Sequence, residues 1–168
     1  MIFKKATKED AAMIADSMGK IRSTMEDPTM YVIDPKEDLE KYLDGVHGFG
    51  ILAMEGETLA GYFVFRFPDL DEEDHLGHYL NLDDEKKSHV VYMDSAGVFP
   101  SFQGQGLQGQ MLREGERLLK DTPYHIAMAT ISPDNPASLN TLLKDGFEVI
   151  DTAKKYGGLL RHILYKPL

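Results

Sequence analysis

The chain contains no cysteine. That excludes disulfides, a thiolate nucleophile and any cysteine-ligated metal site. No run of about 18 apolar residues is present, so no segment reads as a membrane span. A basic surplus is also missing: 18 Lys and Arg stand against 28 Asp and Glu, a net charge of −10. A nucleic-acid partner calls for the opposite sign. The opening residues Met1 to Asp10 turn polar too early for a signal peptide. The expected compartment is therefore the cytoplasm, with neither membrane nor nucleic acid as partner.

What is present is an ordinary globular mixture, 42% hydrophobic and 27% charged over 168 residues. That length fits one domain spanning residues 1–168, with a real core, better than two small ones. The acidity is concentrated. Residues 69–85 carry eight acids and no Lys or Arg, and outside them the charges nearly balance. Such a run reads either as a solvated connection or as a wall that attracts cationic substrates.

Apolar spacing sets the order of elements. Met1 to Ala6 predicts a strand, and Thr7-x-x-Asp10 a helix start, with Ala11, Ile14, Ala15, Met18 and Ile21 at helical intervals. Pro35 to Gly45 predicts a second helix. Residues 49–55 and 58–67 form a hairpin pattern around Glu55-Gly56-Glu57, and 89–99 is a further strand. A helix over 107–120, a strand over 124–131 and a helix over 135–145 follow, with strands over 147–152 and 159–166 closing the chain. The fold class is mixed α/β.

Residues 102–112 contain Gly104-x-Gly106-x-x-Gly109. A dinucleotide fingerprint would need a strand running directly into the first glycine and an acid about 20 residues further on. Here Pro100 to Gln103 intervene, and Ala127 to Thr130 supply no acid. A kinase loop would need a lysine-bearing strand and a His-Arg-Asp set after it, both missing. The physics of the loop survives. Glycines let the backbone turn sharply, and the free N–H groups of a helix start, aided by the helix dipole, can hold a diphosphate.

With its flanks, the stretch Val98-Phe99-Pro100-Ser101-Phe102-Gln103-Gly104-Gln105-Gly106-Leu107 resembles the acetyl-CoA motif of the GCN5-related N-acetyltransferase (GNAT) family. There a strand ending Val-x-Pro leads to Gln/Arg-x-x-Gly-x-Gly/Ala before a helix. The closing Gly/Ala position is Gln108 here, a departure, with Gly109 directly after it. Asn135-Pro136-Ala137-Ser138, followed by Gly146-Phe147, resembles the family's second cofactor segment.

The resemblance implies a mostly antiparallel central sheet with helices on both faces and its middle strands opened for the cofactor. It also implies acyl transfer from acetyl-CoA, as cosubstrate, to an amine. Val98, Phe99 and Pro100 would meet the acyl end, and Gln103, Gly104, Gln105, Gly106, Leu107, Gln108 and Gly109 the diphosphate. Asn135 and Ser138 would meet the pantetheine arm. The acceptor would be a small-molecule or peptide amine, with the acidic segment favouring a cation; oligomeric state, a homodimer included, is left open.

The chemistry needs three things. An alkyl amine has a pKa near 10.4, so it needs a base to become nucleophilic at neutral pH. Asp94 is the first choice, four residues before Val98, with Tyr92 on its face by strand parity. The developing oxyanion needs a donor, and the family's backbone N–H corresponds to Val98. The leaving thiolate can use a proton. Family members often carry a Tyr seven residues after the cofactor Asn, but that position is Leu142 here, so Tyr156, beside Gly157 and Gly158, is the candidate. Tyr165 reads as a packing residue. The missing tyrosine also leaves room for a non-catalytic acyl-CoA-binding module. His75, His78, His89 and His125 share no ligand spacing with nearby carboxylates, so no metal site is expected.

Overall fold

The computed structural model describes residues 1–168. Seven strands form one sheet: β1 (Ile2–Ala6), β2 (Gly48–Glu55), β3 (Thr58–Arg66), β4 (Val90–Val98), β5 (Ile126–Ile131), β6 (Glu148–Lys155) and β7 (Leu159–Pro167). Their order across the sheet is β1-β2-β3-β4-β5-β7-β6. Every neighbouring pair is antiparallel except β4 and β5. The helices are α1 (Ala11–Arg22), α2 (Lys36–Tyr42), a short α3 (Asp84–Lys87), α4 (Leu107–Leu119) and α5 (Pro136–Lys144). No helix is long and apolar enough to cross a membrane.

Strand alternation divides the core between the two faces. Leu52, Tyr62 and Val64 meet Ile14, Met18 and Ile21 of α1 and Leu39 of α2. On the other face Ile51, Phe63, Phe65 and Met93 meet Leu107, Met111 and Leu112 of α4 and Leu142 of α5. Lys166 at the end of β7 fastens the α4 side: its Nζ lies 2.5 Å from Glu116 Oε2 and 2.9 Å from Asp145 Oδ2. Burial and the neighbouring Asp145 push the Glu116 carboxyl up to about 7.

Several sequence-based boundaries shift. Helix α1 begins at Ala11, after a short 3-10 turn at Lys8–Asp10 in which Asp10 Oδ2 accepts from the Thr7 N–H at 2.9 Å. The second helix is shorter than its pattern and β6 longer. The acidic connection is not simply solvated. It forms a 3-10 turn, Leu76–Leu80, that buries Leu76 and His75 beside Val90 and Tyr92.

The feature that creates the site is where β4 and β5 part. They pair only from Val90 with Ile126 to Tyr92 with Met128. Just beyond, the β3–β4 register slips, so that Phe65 faces Met93 but Val64 faces Ser95, leaving Asp94 as an extra, unpaired residue. A β-bulge bends and twists its strand. Strand β4 therefore continues along β3 to Val98, while β5 stays with β7 along its whole length. Val91 and Met93 face α4 before the slip; Ala96 and Val98 pack there after it. The result is a V-shaped gap in the middle of the sheet.

Candidate active site

The gap presents free backbone on the β4 side. Gly61 is opposite Val98, and Phe99 N–H bonds to Ala60 O at 2.9 Å. Gly61 and Val98 are thus a non-hydrogen-bonded pair, so Val98's own N–H and C=O point away from β3 and into the gap. Gln103 Nε2 donates to the Val98 carbonyl at 3.1 Å. The Val98 N–H is left free, as the oxyanion expectation requires. Phe99 and Pro100 offer no free N–H, since Phe99 donates to Ala60 and proline has none.

The glycine loop is open. The first helical bond of α4 runs from Gln110 N–H to Gly106 O at 3.1 Å, and no N–H from Gly104 to Gly109 has a protein acceptor. Six successive unpaired donors at a helix start form an anion cradle without a basic side chain. Gly104 has φ +83° and Gly106 φ +71°, and a Cβ on either would meet nothing closer than Gln110 Nε2 at 3.9 Å. These glycines are required by the backbone turn, not by packing. Gln105 O is taken by Gln110 Nε2 at 3.0 Å, and the Leu107 side chain is buried in the core. Gly109 lies where α4 approaches α5: its Cβ would come 3.7 Å from Thr141 Cγ2. Gln108, the departure from the family pattern, links the two helix starts, accepting from Ser138 Oγ at 3.3 Å. Asn135 caps α5 through Oδ1, which accepts from Ser138 N at 3.3 Å.

Two cavities open from the gap. The narrower, with a volume of about 100 Å³, is bounded by Ala96, Gln108, Asn135, Ser138, Leu142 and the buried Arg161. The wider, about 460 Å³, is bounded by Arg66, Glu72, Glu73, Asp74, Tyr92 and Lys155. They share Met93, Asp94, Thr130 and Tyr156. The unpaired bulge residue and the glycine-flanked tyrosine thus come together at the neck between the cavities. Tyr156 sits at φ +51°, a left-handed backbone that the two following glycines accommodate. Its side chain is exposed, and its hydroxyl lies 2.8 Å from Thr130 Oγ1. Burial pushes its pKa up, the Thr130 bond opposes that, and the Asp94 charge adds to it. Leu142, in place of the family tyrosine, is buried in the α4-side core yet borders the same narrow cavity.

Asp94 is half-buried and tied to Arg66, whose Nε donates to Oδ1 at 3.0 Å. Arg66 also donates through Nη1 to Glu72 and lies between the rings of Tyr42 and Tyr92, 5.1 and 4.8 Å from their centroids. Burial alone would lower its pKa, but the Asp94 and Glu72 carboxylates outweigh that and hold it higher still. Tyr92 shares the wide cavity with Asp94, as parity predicts, but its hydroxyl is engaged, accepting from Leu76 N–H at 2.8 Å. Tyr165 packs against the Val90 and Met128 cluster, away from the gap.

The acetyltransferase (GNAT) family model matches residues 20–147. The chain belongs to the GNAT acetyltransferase family. Its GNAT fold recurs in solved structures of low identity. The yncA protein of Salmonella typhimurium, solved with its cofactor acetyl-CoA, is 19% identical, with a TM-score of 0.72 over 100% of this chain and 94% of that one. Ribosomal-protein-alanine N-acetyltransferase of Brucella melitensis is 17% identical, with a TM-score of 0.72 over 100% of both chains. NAA60 of Arabidopsis thaliana, in complex with acetyl-CoA, is 12% identical, with a TM-score of 0.74 over 99% of this chain and 98% of that one. No curated protein matched the chain.

Within this GNAT frame, sequence reasoning missed Tyr31, Arg66 and Thr130, which line the two cavities. Arg66 had a visible signal, a lone cation inside the apolar run Tyr62 to Phe67. Buried cations need partners. Tyr31 had none, because it lies in the α1–α2 connection, about 60 residues from Asp94 in sequence.

Proposed function

We propose that this GNAT chain, as one domain over residues 1–168, transfers an acetyl group from acetyl-CoA to a primary amine of a small cationic acceptor. The observation that carries the reading is the pair of cavities meeting at Asp94, Thr130 and Tyr156. One leads to the free amides of α4, the other to acids. The residues fit acetyl-CoA: the open amides from Gly104 to Gly109 suit its diphosphate, Gln108, Asn135 and Ser138 border the route for its pantetheine arm, and the free Val98 N–H suits its thioester carbonyl. Bound there, it would supply the activated acyl carbon.

Four acids, Glu72, Glu73, Asp74 and Asp94, against Arg66 and Lys155 make the wide cavity's wall anionic. That favours an ammonium entering from solvent. Asp94 faces the neck and takes the amine's proton. Val98 N–H stabilises the oxyanion as the amine adds. Tyr156 protonates the departing sulfur and is recharged from the new amide nitrogen, so no proton is lost or gained in that exchange.

Acetyl-CoA at 100 times its Kd is expected to add ~2.7 kcal/mol, a rise in Tm on the order of 5–10 °C for a domain of this size, while NAD and ATP add nothing. Stabilisation by NAD alone would overturn the reading. Release of free thiol is then expected with diamines and basic amines, not with acidic ones. Tight acetyl-CoA binding without turnover on any amine would leave the acyl-CoA-binding module instead.

A further inference from the structure

We propose that Arg161 and the Tyr31 hydroxyl form a carboxylate subsite in the narrow cavity, so that the acceptor is a free basic amino acid acetylated on its α-amine. The proposal rests on the acetyl-transfer reading and names the acceptor's chemical class. Arg161 is 5% exposed and is the only cation bordering the narrow cavity. No Asp or Glu forms an ion pair with it. A buried cation is costly unless it is paired. Its Nη1 donates to Leu160 O at 2.9 Å and its Nη2 to Thr29 O at 2.5 Å. A guanidinium has five N–H donors, so the others are left without a protein acceptor. Asp27, the acid that feels its charge, is exposed and turns Oδ1 to Thr29 N at 2.9 Å. Asp94, the only acid bordering the cavity, is held by Arg66.

Two hydroxyls of the same cavity are equally unpartnered. Tyr31 is 9% exposed, borders the cavity and has no partner for its hydroxyl. Thr29, which Arg161 holds, lies two residues before it in the same loop. Ser95 Oγ also borders the cavity, closed off from solvent and without a partner. Spare N–H donors on a cation, with hydroxyls free to donate, fit a carboxylate, which accepts at both oxygens. An acetyl group carries no carboxylate, so the anion belongs to the acceptor. The guanidinium lies 5.7 Å from the Tyr156 ring centroid, and Tyr156 stands at the neck. A carboxylate on Arg161 therefore leaves the adjacent α-amine at the neck with Asp94. The side-chain cation extends into the wide cavity, towards Glu72, Glu73 and Asp74. In the transfer a bond forms from the α-nitrogen to the acetyl carbonyl carbon, and the carbon–sulfur bond breaks. Of the two protons the ammonium gives up, one ends on the sulfur and the other leaves through Asp94 to water.

Thiol release from acetyl-CoA with L-lysine is compared with release with lysine amide and pentanediamine, which lack the carboxylate. Wild type is expected to favour L-lysine in kcat/KM by about tenfold or more, the scale of hydrogen bonds to a charged group. Arg161→Met is expected to erase most of that preference. Because Arg161 also ties down Thr29, Tyr31→Phe supplies a second variant, which removes only a hydroxyl and is expected to narrow the preference severalfold. Equal rates for lysine and its amide in wild type, or an unchanged preference in both variants, would overturn the proposal. Mass spectrometry of the product is expected to place the acetyl group on the α-nitrogen; acetylation of the side-chain amine alone would overturn that placement. Faster reaction of succinyl-CoA with pentanediamine than of acetyl-CoA with lysine would move the carboxylate to the acyl chain and overturn the acceptor assignment. Melts need no turnover. Nα-acetyl-L-lysine is expected to raise the Tm of wild type but not of Arg161→Met, and its amide to raise neither; equal shifts from acid and amide in wild type would count against the subsite. If no amine is turned over, the acetyl-transfer reading fails, while the melts still decide the subsite.

Discussion

Gly115→Val is expected to cost more than 3 kcal/mol, beyond the usual overpacking range of about 1–3 kcal/mol. Helix propensity alone points the other way, since a helix-interior glycine is about 0.5–1 kcal/mol worse than alanine. Packing reverses that sign. A Cβ at Gly115 would overlap the ring carbons of Phe65. Phe65 cannot swing aside, because it is fully buried and stacked between Phe63 and Phe49 at 4.6 and 4.8 Å. Helix α4 would have to lift from the sheet, taking the Gly104–Gly109 tip with it. At roughly 2–4 °C per kcal/mol for a chain this long, Tm is expected to fall on the order of 10 °C, against a total stability of about 5–15 kcal/mol. Acetyl-CoA binding is expected to weaken in parallel. A Gly115→Ala protein as stable as wild type in urea would show that α4 does not seat on Phe65 in this way.

Arg66→Met is expected to lose about 3 kcal/mol, the low end for removing one partner of a buried charge pair. The low end applies because Arg66 and Asp94 are 17% and 15% exposed and Glu72 is 26% exposed, so water screens part of the loss. Methionine keeps most of the volume, so the effect reports charge and not a cavity. It also removes the cation from between Tyr42 and Tyr92. Arg66→Lys is expected to recover only part, because an ammonium lacks the planar fork that reaches both carboxylates. A methionine variant matching wild type in denaturant at pH 8 would refute the role given to Arg66.

Much of the frame was legible beforehand. The order of elements followed from spacing, and Pro136 and Gly146 bracketed α5 as helix ends do. The glycine-rich start of α4 was legible because a helix tip with glycines at positive φ is a local object, made of consecutive residues. Its only side-chain surprise, Gln108, turned out to bridge to Ser138. The charged cluster of the wide cavity was not legible. Glu72, Arg66 and Asp94 come from three separate segments and say nothing to one another in one dimension. Tyr156 was a guess from neighbouring glycines, and its approach to Thr130 depends on β6 and β7 pairing beyond β5.

By itself the sequence determined the family, the ten-residue stretch from Val98 to Leu107 that carries its motif and the excess of acid, because each depends on residue type or on neighbours along the chain. Only the tertiary structure decided where β4 leaves β5, since the bulge at Asp94 arises from a register slip against β3 that no local preference encodes. It also decided that Arg66 meets both Asp94 and Glu72. A cation and its carboxylates stabilise one another through distance in space and shared burial, and neither quantity exists until the chain has folded.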